Sequence, residues 1–199
     1  MDETLQELAQ FLGLSIARIN SLIFPDSRLM IRLNDVAESS LAGVMLRYIP
    51  NAELAAKSGV PELYNHPSAE EAYEICIERM SHVGQMFDAY SICYGRFFPQ
   101  LEPPGVGEIL TGMAAHEVRH RVQLHFNPLL AEPGVKDNEV YKIARALFED
   151  QKFSESTSRR MKELEFDARV AEVMVVHDII VRESRESFEF DHRLILGDL

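Results

Sequence analysis

One segment restricts this chain more than any other. Residues 106–126 hold no proline, and inside them stands His116-Glu117-Val118-Arg119-His120. Pro103 and Pro104 precede the segment, and Asn127-Pro128 follows it, so the punctuation predicts a helix from about Val106 to Phe126. Residues four apart on a helix share a face, so His116 and His120 can offer ring nitrogens to one metal ion. Glu117 is then placed to accept a proton from a water that the metal activates. A fold for this chain must support that helix and bring a further donor to the two rings.

At these residues the sequence resembles the zincin metallopeptidases. The resemblance implies a zinc ion held by His116 and His120, and peptide-bond hydrolysis with Glu117 as general base and then general acid. A catalytic zinc takes three protein ligands and keeps one position open. Gluzincins take the third from a Glu on a later helix, with an Asp or Asn four residues on. Glu163 and Asp167 have that spacing. The segment resembles E-x-x-A-D of CAAX-processing and HtpX-type peptidases and E-x-x-A-N of ImmA-type peptidases, which implies Glu163 as ligand and Asp167 as the group orienting a zinc histidine. A helical wheel supports the same choice. Glu163, Asp167, Val170, Met174 and His177 share one face, while Glu165, Arg169 and Glu172 share another that is polar by composition. Glu163 is therefore expected to point inward, and Glu165 to be an exposed partner of Arg169.

Other polar side chains are weighed against this set. His125 follows His120 by five residues where the metzincin pattern needs six, so it reads as a surface or loop histidine. His177 stands about four turns, ~21 Å, from Glu163 and reads as a core or boundary residue. Tyr90, Tyr94, Tyr141 and His192 are candidates to stabilise an oxyanion, and nothing selects one. Arg119 and Arg121 are expected to face solvent or substrate, making the site locally cationic and favouring acidic peptides.

Composition excludes several classes. Lys and Arg number 20 against 32 Asp and Glu, a net charge of −12, which argues against a protein built to grip phosphate backbones. No apolar run approaches the ~18 residues of a membrane span. The acidic first residues lack a signal-peptide pattern. Two cysteines, Cys76 and Cys93, make no disulfide framework and point to a reducing cytoplasm.

The expected fold is α+β: a helix-rich zincin-like domain over residues 25–199, with a small N-terminal sheet packed on the HExxH helix, preceded by a helical hairpin over 1–24. Gly13 reads as a stop and Ser15 as the next N-cap, a pattern like a helix-turn-helix. Residues 1–50 carry four Arg and no Lys against six acids, too few cations for a groove reader, so nucleic acid is an unlikely partner and a peptide or protein substrate is favoured. Segments 28–33 and 41–49 read as an antiparallel pair. Residues 51–58 suggest a helical turn. Ser68 and Glu71 suggest a capping box for a helix over 69–90. Further helices fit 138–150 and 156–183. Two alternative functions remain. One is a ferritin-like di-iron protein using Glu117-x-x-His120, Glu189-x-x-His192 and glutamates such as Glu74, Glu78, Glu163 or Glu165. The other is a non-catalytic metal-binding or DNA-associated regulator.

Overall fold

The computed structural model describes residues 3–25, 29–34, 43–48, 73–78, 83–126, 138–151, 153, 155–182 and 193–196. The chain divides into two compact units, Met1–Ser81 and His82–Leu199, so the boundary expected at residue 24 falls within the first.

In the first unit, α1 spans Glu3–Ile23 as one helix. The expected hairpin is thus corrected. The helix runs through Gly13, because Ala9, Leu12, Ile16 and Ile19 keep one unbroken apolar stripe and are all buried. Burying that stripe outweighs the ~1 kcal/mol that a helical glycine costs. Without a turn, the resemblance to a helix-turn-helix is lost. Strands β1 (Leu29–Asn34), β2 (Gly43–Tyr48) and β3 (Tyr73–Glu78) form a sheet in the order β1-β3-β2. The two expected strands exist but do not pair with each other. β3 lies between them, parallel to β1 and antiparallel to β2, with Ile75 opposite both Ile31 and Leu46. The helix expected over 69–90 is corrected at 73–78, which form this strand, and is found from Val83. Tyr73-Glu-Ile-Cys-Ile-Glu78 alternates in polarity, a period-two signal stronger than the capping box before it. The turn expected at 51–58 lies outside the described residues.

In the second unit every described element is a helix: α2 (Val83–Phe97), α3 (Val106–Phe126), α4 (Glu139–Glu149), α5 (Arg159–Val181) and the short α6 (Arg193–Leu196). This overturns the α+β zincin-like domain. The unit that carries HExxH is helical, and the strands belong to the other unit. Local chemistry sets the helix starts. Asn138 caps α4 by accepting from the Val140 N–H at 2.9 Å, and Ser158 caps α5 by accepting from Met161 at 3.1 Å. α5 is the central element, packed against α3, α4 and α6. Its Val170, Val173 and Val176 share one core with Tyr90, Tyr94, Ile109 and Ile143.

Gly112 sets how closely α5 approaches α3. A Cβ there would collide with Val176 and would stand 3.1 Å from the Glu172 carbonyl oxygen and 3.2 Å from Glu172 Cγ. His116 is one turn further along the same face, so the glycine also lets Glu172 reach it. Gly112→Ala is expected to lose about 1–2 kcal/mol net, because overpacking against backbone exceeds the gain in helix propensity. A thermal melt equal to the parent's would show that the two helices can separate freely.

Candidate metal centre

α3 brings His116 and His120 together as the spacing requires. Their rings meet edge-on, with the two Nε2 atoms 3.1 Å apart. α5 supplies the third group, and it is Glu165. Its carboxylate lies 3.5 Å from His116 Nε2 and 3.4 Å from His120 Nε2. Zinc bonds of ~2.0–2.2 Å at tetrahedral angles separate donor atoms by ~3.4 Å, so these three side chains could hold one metal ion. Glu163 does not take part. It is 41% exposed and pairs with Arg159 at 3.0 Å and Arg160 at 3.8 Å on its own helix.

The choice between the glutamates fails on a premise of the wheel. It assumed that one face of α5 meets water. From Asp167 to Ile180 the helix is buried nearly all round, because three helices enclose it. The polar stripe Glu165, Arg169, Glu172 then turns toward the histidines of α3, with Glu172 buried and Glu165 only partly exposed. The signal was available: a charged stripe on a helix whose other positions are apolar has two fates, and only tertiary packing chooses.

Each histidine is anchored through its other nitrogen. His116 Nδ1 lies 3.0 Å from Glu172 Oε2. Glu172 is itself held by the Tyr90 hydroxyl, donating at 2.7 Å to Oε1, and by Arg169 Nη1 at 2.5 Å to Oε2. Tyr90 is therefore committed to Glu172 rather than to an oxyanion. Among the other oxyanion candidates, Tyr94 and Tyr141 pack in the core, and His192 lies outside the described residues. His120 Nδ1 lies 2.9 Å from Gln123 Oε1. The orientation of the Gln123 amide is determined by its donors, which bind Leu164 O at 2.9 Å and Asp167 Oδ2 at 2.6 Å. With both hydrogens used, only Oε1 can face His120. That places hydrogen on Nδ1 and leaves the Nε2 lone pair for a metal. Asp167 reaches His120 through Gln123, where the resemblance implied that it orients a histidine directly.

Electrostatics follow the geometry. Burial alone would lower His116, but hydrogen bonds to Glu165 and Glu172 outweigh it and push the imidazole up to about 9. Burial would raise Glu165, but its bonds to both histidines hold it well below the usual carboxylate range. Glu172 goes against the pull of its own burial to about 2, chiefly because Arg169 lies beside it. Glu117 is pushed up to about 6 by burial, with His116 and His120 pulling the other way. It is 7% exposed and shares the field of the three metal-binding candidates.

One expectation is corrected. Arg119 and Arg121 are both fully buried, so neither presents positive charge to a substrate. The preference for acidic peptides loses its basis. Of the di-iron set, Glu74 and Glu78 lie on β3, a strand rather than a helix, and Glu189 and His192 lie outside the described residues. His177 stacks on Phe98 at 4.5 Å, a boundary histidine as read, while the side chain of His125 lies outside what is described. Among the described residues, no helix is long and apolar enough to cross a membrane. Comparison with family models, curated proteins and solved structures finds no match to the chain.

Proposed function

We propose that this chain is a zinc-dependent peptide hydrolase, with His116, His120 and Glu165 as ligands. The observation that carries the reading is the convergence of two anchored Nε2 atoms and one carboxylate, on two packed helices, beside the buried Glu117. Two imidazoles and a carboxylate are a donor set that suits zinc. His116, His120 and Glu165 side chains are 9%, 17% and 23% exposed, so the set opens toward solvent on the His120–Glu165 side, where a substrate can approach.

When bound, zinc would act as a Lewis acid and lower the pKa of a water toward ~7. The chain's own groups do the rest. Glu172 and Gln123 keep both imidazoles in the donor tautomer. Glu117 takes the water's proton on a carboxylate oxygen and returns it to the departing amine. A carboxyl raised by burial toward neutrality suits both transfers. The reducing cytoplasm expected from the cysteine count belongs to the same proposal, and Cys93 is a free, buried thiol.

The test is the purified chain against a mixed peptide library. Cleavage should require about one zinc per chain, stop with chelator and return on adding zinc. A chain prepared without chelators that carries no stoichiometric metal sinks the reading.

A further inference from the structure

Arg119 occupies an interior position of HExxH, between the two histidines. It is fully buried, and its guanidinium joins three parts of the second unit. Nε donates to Asp167 Oδ2 at 2.7 Å, and Nη2 to Asp167 Oδ1 at 3.4 Å. Nη1 donates to the carbonyls of Ile195 at 2.9 Å and Leu196 at 2.8 Å. Those carbonyls end α6, and the last carbonyls of a helix have no partner within it. A planar fork with several donors can serve a carboxylate and two carbonyls together, and an ammonium cannot reproduce that shape.

The oxygen that ties Arg119 to α5 is also the one that orients Gln123. Asp167 Oδ2 accepts from both Arg119 Nε and Gln123 Nε2. A contiguous chain of hydrogen bonds therefore runs from α6 through Arg119, Asp167 and Gln123 to His120. Its last link is two-valued. With the amide as found, His120 is an Nε2 donor. With the amide turned over, its NH₂ would face Nδ1, move the ring hydrogen to Nε2 and block the metal-binding lone pair.

We infer that Arg119 is a positioning residue that makes the metal-binding tautomer of His120 depend on the docking of α6. Docked carbonyls take the Nη1 hydrogens and leave Nε and Nη2 aimed at Asp167. Undocked, the buried guanidinium must redistribute its hydrogen bonds, and Asp167 loses the geometry that orients Gln123 together with the Leu164 carbonyl. α6 is then a built-in control on the site, open to any partner or cleavage that lifts it. The inference rests on the zinc reading for its consequence, but not for its structural readout.

The experiment uses the full chain. Ile195, fully buried, anchors α6, so Ile195→Asp should undock it without altering α3 or α5. Two quantities are read: zinc affinity by competition with a chromophoric chelator, and the His120 ring-nitrogen signals of zinc-free protein by NMR. Ile195→Asp should weaken zinc ~10–100-fold, the usual cost of disturbing an outer partner of a metal histidine. It should also convert a single Nδ1–H tautomer into a mixture. Adding Gln123→Leu to Ile195→Asp should cost nothing further, since both cut one chain. Arg119→Lys, which keeps the charge, should reproduce both changes and covers the case in which Ile195→Asp fails to fold. An unchanged His120 tautomer in folded Ile195→Asp or Arg119→Lys overturns the inference, as does a full additive loss in the double variant. Absence of zinc from the parent chain overturns the zinc reading alone, because the tautomer is read without metal.

Discussion

On the proposed zinc reading, replacing His120 with alanine is expected to take zinc from about one per chain to none that survives dialysis. His120 would supply one of three donors, and its Nε2 is 3.1 Å from that of His116 and 3.4 Å from Glu165. Two donors cannot match three, so the loss should exceed the ~10–100-fold typical of outer hydrogen-bond partners. The same result is expected for Glu165→Ala. Glu163→Ala, by contrast, should leave zinc content unchanged, because that carboxylate is turned to exposed arginines one turn away. Elemental analysis of the three variants separates the two glutamates directly, with far-UV circular dichroism confirming that the helices persist. Zinc lost from Glu163→Ala and kept by Glu165→Ala would reverse the assignment.

Glu117→Gln should separate binding from chemistry. The amide matches the carboxyl in shape but cannot take a proton at neutral pH. Zinc content should stay at the parent level while kcat falls by ~10²–10⁴, the range that general acid–base groups contribute. The buried position makes this substitution mild for the fold, since a neutral amide replaces a group whose own ionisation burial already opposes. Cleavage at the parent rate by a zinc-loaded Glu117→Gln chain would remove Glu117 from the mechanism. Loss of zinc instead would make it a ligand.

The two glutamates on α5 show what pattern can and cannot convey. Periodicity correctly groups Glu165, Arg169 and Glu172 on one side of the helix. It cannot tell which side meets the partner helix once both are covered. The same limit explains Arg119 and Arg121. Charged residues are costly to bury, so a sequence reading sends them to solvent. The fold accepts Arg119 because Asp167 and the α6 carbonyls satisfy it together, and those partners lie 48 and about 76 residues away along the chain. Gln123 shows the same limit. Its role depends on donors that bind α5, and no local window contains them.

Local sequence determined the bounds of α3, its two histidines on one face, and the acid beside them. All three follow from proline punctuation and the 3.6-residue turn, which act within a few residues. It also located α4 and α5 to within a few residues and two of the three strands. Tertiary structure alone decided that the HExxH unit is helical, that β3 lies between β1 and β2, and that Glu165 rather than Glu163 stands beside the two histidines. Those outcomes rest on contacts between distant segments. A helix fixes which side chains travel together, and the packing on all its sides fixes where they point.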